Sequence, residues 1–303
     1  MSESMTLDVA GPGADAFFEL DCGGRRYRML LPDAATDYIQ KKIVTERQPY
    51  ELEMLEDIRS RTAPGDLVLD VGANIGNHTL YLAAVAGCRV IAFEPNPALC
   101  NALRSSLSLN PTLPEVTIHA CGLGRDVGSA AFADERKDNL GARRLKPGAG
   151  TIALETLDSM APAAAVRVIK IDVEGMELDV LAGAAKTIRR DRPLLYIECI
   201  TERDFREVSR VLDAHDYCYW ATFNATPTHL FVPAESVSIE QRIGRLQYKA
   251  AQDQYRHGQV LREIRLRLAQ AQELEKHSRA ATGCGRSSRI AGRCPKATCS
   301  KSL

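Results

Sequence analysis

The stretch Val68-Leu69-Asp70-Val71-Gly72-Ala73-Asn74-Ile75-Gly76-Asn77 decides the fold of this 303-residue chain. Leu67 to Val71 is a short apolar, β-branched run of the kind buried on both faces of a parallel sheet. A Gly-x-x-x-Gly loop follows, and residues 79–86 read as a helix closed by Gly87. Strand, glycine turn and helix in that order make the mouth of a ligand site in a doubly wound α/β fold.

Outward from this unit, strands are expected at residues 89–93, 116–120, 166–171 and 194–197, with helices at 97–109, 175–190 and 204–215 between and after them. Residues 217–223 and 229–232 are two further strands. Only a short turn with Pro227 separates them, which leaves no room for a crossover helix and makes them an antiparallel hairpin. Before the central unit, residues 17–31 alternate around Gly23-Gly24 as a hairpin, and residues 37–61 read as a helix. Residues 125–165 read as irregular, with a hairpin signal near Ala130 to Phe132. Residues 1–15 are small, acidic and expected to be loose.

Composition is that of an ordinary globular protein, 45% hydrophobic and 26% charged. Formal net charge is zero, yet 14 Lys/Arg stand against 5 Asp/Glu from Glu240 onward, and 25 against 34 before it. An acidic body with a basic tail is not built to hold nucleic acid on the body. No apolar run approaches the ~18 residues of a membrane span, and no basic-then-apolar leader opens the chain. Nine cysteines without a CxxC pair fit a reduced, cytoplasmic protein.

The glycine loop is not a dinucleotide fingerprint, because Gly72 and Gly76 flank Ala73-Asn74-Ile75 and the middle glycine is missing. Asp70 at the strand end would also repel a pyrophosphate. A ligand with an amine and a carboxylate but no phosphate fits better, its carboxylate toward the N–H groups of Gly72 to Gly76 and its ammonium toward Asp70. Glu94 closes the second strand, where a carboxylate can accept from both hydroxyls of a ribose. Amino acid plus ribose without phosphate describes S-adenosylmethionine.

VLDVGANIGNHTLYLA, VIAFEPNP and VIKIDVEGMELDVLAGA, in this order and spacing, resemble the FkbM family of S-adenosylmethionine-dependent methyltransferases, from about Tyr50 to Phe231. The resemblance implies a seven-stranded Rossmann-like class I methyltransferase sheet (α/β) whose last two strands form a hairpin. It implies O-methylation of sugar or polyketide hydroxyls, and it places Asp70, Gly72, Asn74, Gly76, Glu94 and Asn96 around the cofactor. Glu51 resembles a recurring family element on the cofactor side, and Cys121 and Gly122 should lie near the adenine. The domain reading is an N-terminal extension over 1–49, a methyltransferase domain over 50–233, an amphipathic helical segment over 234–278 and a disordered basic tail over 279–303.

Transfer to a hydroxyl needs a base within hydrogen-bond reach. Asp172, Glu174 and Glu198 are the candidates, since they stand at strand ends facing the cofactor. Lys170, inside a strand, must be paired to be buried, and a catalytic role and a structural ion pair both remain open for it. His78 and His229 are alternative bases, whereas His119 reads as packing. Asp172 and Glu198 are hard-metal ligand types, but no third ligand is evident, so no metal is expected. The stretch 134–150, with Arg136, Lys137, Arg143, Arg144 and Lys146, reads as a lid over the acceptor or as a solvated loop.

In the tail, Ile243, Leu246, Ala250, Leu261, Ile264, Leu268 and Ala271 recur at helical spacing. Gly258 interrupts them, and the helix could pack on the body or form a homodimer. Cys284, Cys294 and Cys299 match no zinc pattern. The leading function is transfer to a glycan or small-molecule hydroxyl. Its alternatives are a protein or nucleic-acid acceptor, and a non-catalytic adaptor that presents the tail helix.

Overall fold

The computed structural model describes residues 17–133, 144–160 and 162–283. Arg136, Lys137 and Arg143 of the suggested lid, the N-terminal 15 residues and the cysteines of the tail lie outside them, as do the side chains of Leu261, Ile264, Leu268 and Ala271.

The apolar runs assemble as the sequence leads one to expect. Seven strands form one sheet in the order Tyr217–Phe223, Thr228–Pro233, Leu194–Glu198, Val166–Ile171, Leu67–Val71, Arg89–Phe93, Val116–His119. Thr228–Pro233 runs antiparallel to both of its neighbours. The other pairings are parallel. This is the Rossmann-like sheet of class I methyltransferases. Strand order reverses beside the central strand: the chain proceeds outward through 89–93 and 116–119, then returns to 166–171 on the other side. That switch point is where an α/β sheet opens a crevice at its carboxyl edge.

Period-two alternation splits each buried strand between two cores. Val68, Val90, Val168 and Tyr196 face a layer made by the N-terminal hairpin and the helices Tyr38–Glu46, Leu52–Ser60, Asn77–Ala84 and Pro97–Ser108. Leu67, Leu69, Ile169, Leu195 and Ile197 face the helices Glu177–Gly183, Ala185–Asp191 and Glu202–Asp213. The hairpin Phe17–Cys22/Arg25–Leu30 is tied to the body through Leu30 N–H, which donates to Ser106 Oγ at 2.9 Å, and Arg28 N–H, which donates to Asn110 Oδ1 at 2.9 Å.

Four expectations change. The helix expected over 37–61 is two helices, because Arg47 and Glu51 take left-handed backbone and Pro49 removes a helical N–H between them. The helix expected over 175–190 breaks at Ala184. The stretch read as irregular holds three strands of a four-stranded sheet, in the order Gly122–Leu123, Ile152–Glu155, Gly128–Phe132, Leu145–Pro147, and the hairpin signal near Ala130 to Phe132 falls on one of them. The other three strands are too short for periodicity to reveal. Finally, one helix, Ile239–Gly283, runs through Gly258 and on past 278. By compactness the chain divides into units 1–246 and 247–303. No described helix is long and apolar enough to cross a membrane.

Candidate active site

Gly72 leaves the central strand with φ +80°, and a Cβ there would sit 1.7 Å from the Asp172 carbonyl oxygen. Only glycine lets the two strand ends approach this closely. Every amide of the loop already has an acceptor. Gly72 and Ala73 donate to the Phe93 carbonyl, Asn74 to Glu94 Oε2, Ile75 to Asn74 Oδ1 and Gly76 to the Ala73 carbonyl. The N–H groups assigned from sequence to a ligand carboxylate are therefore occupied by the chain itself. This loop works by shape rather than by offering amides.

Glu94 is 5% exposed and ties two loops together: Oε2 accepts from Asn74 N–H at 2.8 Å and Oε1 from Asn96 N–H at 2.7 Å. Asn96 in turn caps the helix Pro97–Ser108, its Oδ1 accepting from Ala98 N–H. Each Glu94 oxygen keeps a lone pair, so the carboxylate can still accept from two hydroxyls. Burial pushes its carboxyl up to about 7 against the pull of those two backbone donors.

Beside it opens a small cavity lined by Gly72, Glu94, Cys121, Gly122 and Asp172 and walled by Phe93, Leu123, Phe132, Leu145 and Met176. Cys121 and Gly122 thus stand beside Glu94, and the apolar walls suit a flat base. Sequence reasoning missed Phe132 and Leu145, because they arrive on the small sheet.

Asp70 is fully enclosed. Its Oδ2 accepts from Thr79 Oγ1 at 2.6 Å, and its Oδ1 lies 3.2 Å from Lys170 Nζ in a charge contact poorly aligned for a hydrogen bond. The carboxylate read as facing a ligand ammonium therefore faces the protein. Lys170 completes the clamp: Nζ donates to the Gly72 carbonyl at 2.8 Å and lies 3.4 Å from Asp172 Oδ2. Burial alone would lower its pKa, but Asp70 and Asp172 hold it charged and above the ordinary lysine value.

Tyr50-Glu51 is docked by Asn77. Tyr50 N–H donates to Asn77 Oδ1 at 3.0 Å, and Asn77 Nδ2 donates to the Tyr50 carbonyl at 2.9 Å. Glu51, with φ 61°, thereby brings Oε2 to 3.1 Å from His78 Nε2, both side chains buried. Burial and the nearby Glu51 hold the Tyr50 hydroxyl well above its ordinary value, with Asp172 and Glu198 adding to the effect. Asn77 and Thr79 carried no sequence signal beyond that of polar residues in the first turn of a helix.

The remaining acids converge. Oxygens of Asp172, Glu174 and Glu198 all lie within 4.8 Å of one another. Glu198 is 9% exposed, and burial, then Asp172 at proton-sharing distance, push its carboxyl far above the usual range. Asp172 and Glu174 line the cavity, while Glu198 lines a neighbouring groove with Arg144, Glu177, Ile200, Thr201 and Arg203. The acids therefore stand between cavity and groove. Arg144 Nε donates to the Glu174 carbonyl at 2.8 Å. Of the histidines, His229 bonds Thr222 through Nδ1 and packs on Phe205, and His119 stacks on Phe93 at 5.2 Å.

A model described as the methyltransferase FkbM domain matches residues 70–219. Residues 70–219 carry an FkbM methyltransferase domain, just under half of the chain. Its FkbM domain runs from Asp70 of the central strand to Tyr219 of the terminal hairpin. Among curated proteins, it is 27% identical over 143 residues to "Methyltransferase 1" of Beauveria bassiana, covering 38% of this chain and 57% of that one. It is also 27% identical over 167 residues to the hexuronic acid methyltransferase AglP of Haloferax volcanii, covering 54% and 67%. The solved structure of a methyltransferase FkbM from Methylobacillus flagellatus aligns at 20% identity and a TM-score of 0.45, covering 66% of this chain and 47% of that one. The chain thus spans between about half and two thirds of these relatives' lengths.

Proposed function

We propose that this FkbM protein is an S-adenosylmethionine-dependent O-methyltransferase acting on a hydroxyl of a glycan or other small molecule. One observation carries the reading: Glu94, held by Asn74 and Asn96 with acceptor capacity left over, stands at the mouth of an apolar-walled cavity whose far side is an acid cluster. The cavity fits the cofactor: Glu94 for the ribose hydroxyls, Cys121 and Gly122 beside the base, and Gly72 at the turn. Bound there, S-adenosylmethionine would supply a methyl group activated on a sulfonium.

The chain's own residues do the rest. Lys170 holds the Gly72 turn and the Asp172 side chain in one geometry. Asp172, about one third exposed, is the base best placed to take the acceptor's proton, with Glu198 beside it. The groove beside Glu198 receives the acceptor, a hydroxyl-bearing glycan or other small molecule. AglP's name supports that class of acceptor. The six described cysteines are all free thiols, in keeping with a reducing cytoplasm. Exposed Ile239, Ile243 and Leu246, spaced four and three apart, support a homodimer through the long helix.

The test is incubation with methyl-labelled S-adenosylmethionine and fractionated cell extract. Label should enter a glycan or small-molecule fraction. Folded, cofactor-binding protein that labels no fraction would overturn the transferase reading, and label in protein or RNA would overturn the acceptor class.

A further inference from the structure

The sequence reading found no third ligand beside Asp172 and Glu198. The structure supplies one. After Asp172 the chain turns through Glu174 with left-handed backbone, φ 56°, and carries the Glu174 carboxylate back toward the strand ends. Three carboxylates then meet within 4.8 Å. Three carboxylates at this separation repel strongly when all are ionised, and the more so where burial lowers the effective dielectric.

The ammonium that touches Asp172 is shared. Lys170 Nζ touches Asp172 at 3.4 Å, but it is also committed to Asp70 at 3.2 Å and to the Gly72 carbonyl at 2.8 Å. Two carboxylates already share this one ammonium. The second observation is independent of the cluster's composition. Glu198 is over nine tenths buried, and its Oε2 is enclosed with no hydrogen-bond donor among the described residues. A buried carboxylate oxygen without a donor is costly and requires a partner.

We infer that Asp172, Glu174 and Glu198 form a binding site for one divalent cation of the hard, oxygen-seeking class, such as magnesium or manganese. The donor set is carboxylate only, with no sulfur or nitrogen, which suits such ions and not zinc or copper. Three carboxylates from two strand ends and one turn leave the remaining coordination positions open toward the cavity and the groove, where water or an acceptor oxygen can complete the shell. That last role rests on the reading of the groove as the acceptor site; the binding itself does not.

The experiment uses the full chain and the metal alone, with neither cofactor nor acceptor. Manganese is titrated into chelator-treated protein and followed by its paramagnetic resonance signal and by calorimetry. Saturable binding of one ion per chain is expected, with magnesium competing for the same site. Glu174→Gln and Glu198→Gln should each weaken it by more than about tenfold, the loss that removing even an outer partner of a metal site can cause. Folding is controlled by melting. Without metal both variants should melt at or above the parent temperature, because a repelling charge has been removed, and manganese should raise the melting temperature of the parent only. No saturable binding to folded protein, or equal binding to parent and both variants, would overturn the site and leave a proton shared between Asp172 and Glu198 as what relieves the cluster. Because no methyl transfer is read, failure here leaves the transferase reading standing, and failure of that reading leaves this site standing.

Discussion

Lys170 Nζ lies 3.2 Å from Asp70 Oδ1 between two parallel strands that pair these residues in register. Both side chains are almost wholly buried, and Asp172, just past the end of Lys170's own strand, approaches the same ammonium. Through Lys170 the pair ties the Gly72 turn to Asp172 of the acid cluster, so the sheet itself sets the distance between them.

Removing the lysine should show this as stability. Lys170→Met leaves Asp70 buried without its counter-charge and is expected to cost about 3–5 kcal/mol in urea unfolding. Asp70→Asn combined with Lys170→Met should recover part of that loss, since the orphaned charge is then gone. Equal stability of parent and Lys170→Met would show that the pair contributes nothing.

Gly72→Ala tests the close approach of the strand ends. The added methyl would meet the Asp172 carbonyl at 1.7 Å in a backbone conformation that disfavours a side chain. A loss of about 2–4 kcal/mol is expected, together with loss of S-adenosylmethionine binding in calorimetry. An alanine variant that bound normally would mean that the turn has room to shift.

Glu94 predicts a pH dependence with opposite signs for binding and for stability. Burial pushes its carboxyl up to about 7, above the ordinary glutamate range. Two ribose hydroxyls donate best to the ionised form, so affinity for S-adenosylmethionine should rise about tenfold from one pH unit below that value to just above it, with proton uptake by buffer visible in calorimetry. In the ligand-free protein the raised value favours folding below the unfolded pKa. That contribution is lost as pH rises through 7. Glu94→Gln should flatten the binding profile and weaken binding, because its amide nitrogen would face a backbone N–H; a profile unchanged by Glu94→Gln would assign the titration elsewhere.

Asp172→Asn keeps the size of the side chain and removes the base. Transfer should fall by about 10²- to 10⁴-fold while calorimetry still detects cofactor. Unaltered turnover would remove Asp172 from the mechanism.

Asn77→Ala should free the Tyr50-Glu51 segment, since both of its side-chain hydrogen bonds go to Tyr50 backbone. The expected cost is about 1–3 kcal/mol, with faster amide exchange at Tyr50 as the local readout.

The places where the structure departs from the sequence reading have physical causes. The helix expected over 37–61 failed at Pro49, a residue whose missing N–H is visible in sequence. Its consequence, Glu51 turned toward His78, was not visible. Asp70 read as a ligand-facing acid because strand-end acids often are. Its partners Thr79 and Lys170 come nine positions and 100 positions along the chain, and only packing brings them together.

Sequence alone determined the seven strands, the terminal hairpin, the glycine turn and the acids at the strand ends. Each of these is written in local pattern: apolar period, β-branching, and the position of Gly, Asp and Glu at the end of a run. Tertiary structure decided what those acids do. Glu94 retains free lone pairs beside the cavity, Asp70 is spent on Lys170 and Thr79, and Glu174 swings back to join Asp172 and Glu198. A carboxylate's role depends on which donors and cations lie within a few ångströms. In a parallel sheet those neighbours come from strands far apart in sequence, so the opening glycine turn marks where the site is and the packing around it assigns the roles.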